Sequence, residues 1–187
     1  MRRIFIGTLV VLTIALINGC ANRKITRVDP NETIDLSGRW NDSDSRLVSE
    51  EMIGDLLTSA WIPRYLKAND KRPVVVVGLV ENKSHEHINS ETFIKDVEKA
   101  IIRDGNIRLV VAGEKRNELR KERAEQQDYA SPETTKKWGK ELGADFILQG
   151  TINSIVDSYK KQKVVTYQID LQLTNIETNE VVWMGDK

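Results

Sequence analysis

Val165-Thr166-Tyr167-Gln168-Ile169-Asp170-Leu171-Gln172-Leu173-Thr174 alternates a large apolar residue with a polar one. Successive side chains on a strand point to opposite faces. This period of two therefore predicts a strand with Val165, Tyr167, Ile169, Leu171 and Leu173 on a buried face and the polar set on a wet one. Downstream, Glu177-Thr178-Asn179-Glu180 has no large apolar residue and includes an asparagine, which tolerates positive φ; it predicts a hairpin turn. Val181-Val182-Trp183 is then the returning strand. Upstream, Ala144 to Val156 is apolar enough for a long strand. Three consecutive strands, a meander, close the chain.

Moving toward the N-terminus, the period changes. Leu47, Val48, Met52, Ile53, Leu56, Leu57, Ala60 and Trp61 recur at three- and four-residue spacing, which predicts a helix with one apolar stripe and with Glu50, Glu51 and Asp55 outward. Asp42 or Asp44 is expected to cap it, and Pro63 to mark its end. Val74-Val75-Val76-Val77 is a β-branched run expected to be a strand buried on both faces. Glu81 to Ser90 is a polar loop. Asn89 or Ser90 caps a second helix with Phe93, Ile94, Val97, Ile101 and Ile102 inward, and Gly105 suits its left-handed end. Ile107 to Ala112 is a second strand. Lys115 to Asp128 is nearly all charged or amide and predicts a solvated surface helix. Ser131-Pro132-Glu133 has the cap, proline and acid of a helix start, with Trp138 and Leu142 one turn apart and Gly143 at its close. The expected order is helix, strand, helix, strand, two helices and three strands. It defines an α/β (α+β) fold, a single small domain with a mixed sheet and helices packed on it.

The composition narrows the function. Of 187 residues, 28 are Lys or Arg and 28 are Asp or Glu. Arg2 and Arg3 are the only charged residues among the first 19, so the remainder holds 26 basic against 28 acidic residues. A nucleic-acid surface needs a basic excess to displace counterions, and none is present. No G-x-S-x-G, phosphate-binding loop or dinucleotide glycine pattern occurs, so an enzyme is not expected and no cofactor is implied. His85 and His87 flank Glu86 in the polar loop. Two residues apart on an extended segment they share a face by geometry alone, and spacing places no third metal ligand, so they read as solvated loop residues. Of the four tryptophans, Trp61, Trp138 and Trp183 continue apolar stripes and read as core; Trp40 lies at the domain's edge.

Cys20 is the only cysteine. Arg2 and Arg3 form a positive n-region, Ile4 to Ile17 an apolar run too short to span a bilayer comfortably, and small residues follow. Residues 1–19 are therefore expected to be a signal peptide. Ile17-Asn18-Gly19-Cys20 resembles a lipobox, the site where bacterial lipoproteins are diacylated and then cleaved before the cysteine. Ala21 and Asn22 follow, neither of them the aspartate that resembles an inner-membrane retention signal. The expected address is the inner leaflet of the outer membrane, facing the periplasm. Residues 20–40 read as a lipidated cysteine and a short flexible tether, and 41–187 as the globular domain.

Several segments resemble one family. Asp35-Leu36-Ser37-Gly38-Arg39-Trp40-Asn41-Asp42-Ser43-Asp44 looks like its opening motif. Gly143-Ala144-Asp145-Phe146-Ile147-Leu148-Gln149-Gly150 looks like its Gly-Ala-Asp/His start of a strand. Leu171 to Gly185, with Thr178 in the turn and Val182-Trp183, resembles its closing hairpin. The family is that of the LpoB-type activators of penicillin-binding proteins. The resemblance implies a domain similar to the N-terminal domain of TolB, no catalytic residue, and a monomer that docks on a bifunctional class A penicillin-binding protein and favours its active state. A second reading of the same fold is an envelope-assembly or secretion lipoprotein of TolB-N or curli-secretion type. A pore of that kind needs extra amphipathic strands of about 9–11 residues, and the chain has no surplus segments for them.

Overall fold

The computed structural model describes residues 29, 32, 37–135 and 141–187. The expected signal peptide, Cys20, nearly all of the tether, and Trp138 lie outside the described residues. The fold belongs to the unit Thr33–Lys187. Its elements are α1 (Asp42–Thr58), α2 (Trp61–Asn69), β1 (Val74–Asn82), α3 (Ser90–Asp104), β2 (Arg108–Val110), α4 (Gly113–Tyr129), β3 (Phe146–Tyr159), β4 (Gln162–Asn175) and β5 (Val181–Asp186).

The five strands form one mixed sheet in the order β2-β1-β3-β4-β5. β1 runs parallel to both β2 and β3, and β3-β4-β5 is the expected antiparallel meander. The alternation in β4 does what its period requires. Ile169, Leu171 and Leu173 are buried against Leu148, Ile152 and Trp183, while Gln168, Asp170, Gln172 and Thr174 lie on the other face. There Asn153 donates to Asp170 (2.8 Å) and Gln172 to Thr174 (2.9 Å), so the wet face is a ladder of amides and oxygens. Helices α1 and α3 pack on each other and on the buried face, α1 toward β5 and α3 toward β1 and β2. Met52, Ile53, Leu56, Phe93, Val97 and Ile101 join the strand residues in a single core. Each such side chain contributes roughly 1.5–3 kcal/mol by leaving water.

Local chemistry refines several expectations. The cap of α1 is Asn41, not Asp42 or Asp44: its side chain accepts from the Ser43 and Asp44 N–H groups, and the Asp44 carboxylate accepts from the Asn41 N–H at 2.9 Å. The reciprocal pair satisfies N–H groups at both ends of the first turn. The helix does not run to Pro63. It ends at Thr58, and Pro63 sits in the first turn of α2, where a missing N–H costs nothing because that turn has no intrahelical acceptor. Leu47 faces solvent, and the buried places on that stripe are taken by Ser45 and Ser49, which bond Asp96 (2.9 Å) and the Arg46 carbonyl (2.9 Å). Small hydroxyl residues bring α1 and α3 together where leucine was expected. Ile102 is 63% exposed, since it falls off the Phe93-Val97-Ile101 stripe. The Ile107–Ala112 strand is real only over Arg108–Val110. Ser131 begins a turn, accepting from Thr134 and Thr135 N–H, whose continuation into 136–140 lies outside the described residues.

Other expectations hold as read. Val74–Val77 are all buried, Asn89 caps α3 through the Glu91 N–H, Gly105 adopts φ 78°, Asn179 adopts φ 61°, and α4 has no buried residue. Trp61 and Trp183 are core residues, their indole N–H groups bonded to the Leu56 carbonyl (2.9 Å) and the Asp55 carboxylate (3.0 Å).

Candidate partner-binding surface

The three segments that carry the family resemblance turn out to be joints of the fold. Asp145 is the clearest. Its carboxylate accepts from the Tyr65 hydroxyl (2.6 Å) and the Val74 N–H (2.9 Å), and Lys71 Nζ lies 3.4 Å away. Its backbone N–H donates to the Val74 carbonyl and its carbonyl accepts from the Ile176 N–H. One residue thus ties α2, β1, β3 and the end of β4. Partial burial pushes its carboxyl up, but the Tyr65, Val74 and Lys71 contacts outweigh that and hold it below the usual range. At the end of the same segment, a Cβ at Gly150 would collide with the Asp170 carbonyl, so the glycine permits the close approach of β3 and β4 there.

The opening motif is fastened at the far end of the sheet. The Trp40 ring stands edge-on to Phe93 (6.4 Å) and Tyr167 (5.6 Å). The Trp40 N–H donates to the Tyr167 hydroxyl (3.2 Å), which in turn donates to Glu86 Oε2 (2.8 Å). Burial and the bond to Glu86 both push the Tyr167 phenol upward, so it stays protonated. Beside this chain lies a shallow cleft of about 300 Å³ lined by Gly38, Arg39, Trp40, Val48, Val165 and Tyr167, among others. Trp40, expected at the edge, is therefore half-buried and forms one wall.

The two histidines do not converge on a site. His85 donates its backbone N–H to Ser154 Oγ (3.0 Å), and its ring Nδ1 lies 2.6 Å from the same oxygen. His85 Nε2 is 3.7 Å from Glu86, and His87 is exposed. Among the described residues no three His, Cys, Asp or Glu side chains group closely enough to hold a metal ion. No helix among them is long and apolar enough to cross a membrane.

What the sequence reading missed is the length of the hairpin. β3 and β4 stay paired out to Tyr159 and Gln162, far beyond the ends of their outer neighbours: β1 stops opposite Ile152, and β5 accompanies β4 only as far as Ile169, which exchanges both backbone bonds with Lys187. Residues 153–168 therefore form a two-stranded ribbon standing clear of the sheet. It exposes Ile155 (62%), Tyr159 (70%) and Val164 (62%) on one face and Val156 on the other, where Val165 is half-buried. At its tip Lys160 takes φ 55°, and its ammonium lies 5.2 Å from the Tyr159 ring centroid. Lys160, Lys161 and Lys163 make no ion pair with any described carboxylate, and Asp157 is the only acid in the ribbon. The β-branched pairs Ile155-Val156 and Val164-Val165 favour strand but interrupt the alternation, and Lys160-Lys161 lacks the Gly, Asn or Asp that normally announces a two-residue turn.

Comparison with known proteins bears on the whole domain. A profile of the peptidoglycan-synthase activator LpoB matches residues 44–187. The LpoB C-terminal domain from Escherichia coli superposes with a TM-score of 0.43 at 16% identity, covering 76% of this chain and 92% of that one. The solution structure of E. coli LpoB gives 0.41 at 13%, covering 89% and 79%. Lipoprotein GNA1162 from Neisseria meningitidis gives 0.38 at 12%, covering 62% and 80%. No curated protein matches the chain in sequence. The profile match takes in all five strands and every helix but the first two residues of α1, and on that ground the chain belongs to the LpoB family of peptidoglycan-synthase activators.

Proposed function

We propose that the chain is exported, loses residues 1–19, is lipidated on Cys20, and acts from the inner leaflet of the outer membrane as a regulator of a bifunctional class A penicillin-binding protein. Domain 41–187 is the docking module and residues 20–40 are its tether. The family match over residues 44–187 carries this reading, supported by the position of the only cysteine at the end of a leader-like segment. Two acyl chains on the thiol and a third on the amine hold a protein far more firmly than one chain does. A tether of 20 residues reaches roughly 70 Å fully stretched and averages about 25 Å as a coil, so the domain works close to its membrane.

Activation here is differential binding. A domain that binds the synthase's active conformation tenfold more tightly shifts that equilibrium by about 1.4 kcal/mol and performs no chemistry itself. The test is glycan-strand polymerisation by the cell's own class A synthase, with and without the lipidated chain in detergent. The expected result is a faster rate together with a measurable complex. A rate unchanged at saturating chain, with no complex, contradicts the reading. Mass spectrometry of the mature chain checks the anchor separately: it should begin at an acylated Cys20.

A further inference from the structure

The ribbon has two edges, and the register distinguishes them. Ile169 points its N–H and C=O toward β5, as its paired bonds with Lys187 show. Backbone direction alternates along a strand, so Lys163, Val165 and Tyr167 turn the same groups outward, away from β3. Among the described residues no backbone group meets them. The side chains of Val165 and Tyr167 flank the cleft that Arg39, Trp40 and Val48 complete. The opposite edge, at Ser154 and Val156, is approached by His85, whose backbone N–H donates to Ser154 Oγ.

We infer that an acidic, extended segment of the synthase adds to the ribbon as a strand along the Lys163–Tyr167 edge, in line with β5, and seats a side chain in the cleft beside Trp40. The inference rests on the function proposed above. Outward N–H and C=O groups supply main-chain bonds to an added strand, and an adjoining pocket supplies specificity, as in other cases of strand addition. The charge selects the partner's sign: Lys160, Lys161 and Lys163 outnumber Asp157 in the ribbon, in a protein otherwise close to neutral. Acidic side chains on an incoming strand would pair with them and speed the encounter. Insertion into a bilayer fits poorly, since an open strand edge in hydrocarbon leaves each outward group unbonded at several kcal/mol. A second copy of the chain would bring lysines to lysines.

Two proline substitutions at matched positions test this. Val165 and Val156 are cross-strand partners; Val165→Pro removes an outward N–H on the proposed edge and Val156→Pro one on the other, at equal distance from the turn. Binding of each full-length variant to the synthase's periplasmic part is measured beside the lysine variants Lys161→Glu and Lys163→Glu, which leave the backbone untouched. The expected result is an affinity loss of more than about tenfold for Val165→Pro, little loss for Val156→Pro, and a loss for the lysine variants together with a flatter salt dependence. The inference is overturned if Val165→Pro and the lysine variants all bind like the parent, or if only Val156→Pro fails. It is equally overturned if the ribbon variants abolish self-association or binding to anionic phospholipid vesicles while synthase binding persists. Absence of binding by the parent chain would refute the proposed function itself, and this inference with it.

Discussion

The inner and outer halves of the β3–β4 hairpin share two strands and one register, yet they have opposite fates. From Phe146 to Ile152 and from Ile169 to Asn175 the strands lie between β1 and β5 and under two helices, and Leu148, Ile152, Ile169, Leu171 and Leu173 are sealed from water. From Asn153 to Gln168 the pairing continues with no described strand beyond either edge, apolar residues fall on both faces, and Ile155, Tyr159 and Val164, on the face that is polar in the inner half, stand in solvent. Alternation says that a strand has two unlike faces; it does not say what covers them. The inner half holds the fold, and the outer half holds apolar surface, free edges and positive charge in reserve for a partner.

The largest expected contrast is in stability. Leu171→Ala empties a fully buried site and should cost about 2–5 kcal/mol, whereas Val164→Ala on the same strand should stay within about 0.5 kcal/mol. Urea unfolding followed by circular dichroism measures both. Comparable costs would mean that the ribbon is part of the core after all.

Next is the joint at the base of the hairpin. Asp145→Ala removes acceptors for the Tyr65 hydroxyl and the Val74 N–H and should cost about 1–3 kcal/mol. Its carboxyl is held below the usual range, so the stabilisation it gives is present at neutral pH and declines as acid protonates it. The parent should lose stability between neutral and strongly acidic pH by more than Asp145→Ala does, a difference that unfolding curves across that range reveal.

A smaller, local effect is expected at α4. Glu141 bonds both Arg120 (2.9 Å) and Arg123 (2.6 Å) and thereby links the surface helix to the start of the meander. Hydrogen bonds from Arg120, then Arg123, lower its carboxyl to about 2 from the ordinary 4.5. With the folded value depressed, the link is complete above about pH 4.5 and fades as pH falls toward 2. Because the pair is exposed, salt should weaken it too. Amide protection in α4, taken relative to the intrinsic exchange rate at each pH, should fall under either condition while the core strands remain protected, and an equal fall in both regions would contradict this.

The inner half was legible because each signal there has one physical cause. Period two marks a strand with unlike faces, a β-branched run marks Val74–Val77, and Gly105 and Asn179 mark positive φ. The helix break near Ser59 was not legible, since Pro63 serves equally to end one helix or to begin another. The burial of Ser45 and Ser49 was not legible either, because it depends on a neighbouring helix and on bonds to Asp96 and the Arg46 carbonyl. The ribbon was hidden by its turn: Lys160 adopts φ 55° without the residue type that usually signals it. The surface offered to a partner was the least legible of all, because it depends on how far β3 and β4 stay paired beyond β1, and that is a property of the assembled sheet.

Hydrogen exchange on the mature chain, alone and bound to its class A synthase, tests the division between the two halves most directly. Alone, amides at Lys163, Val165 and Tyr167 should exchange quickly while Leu171 and Leu173 are protected; on binding, those three should slow markedly and the core should change little. Protection that appears elsewhere on the domain, with the ribbon edge still exchanging freely in the complex, would contradict the account.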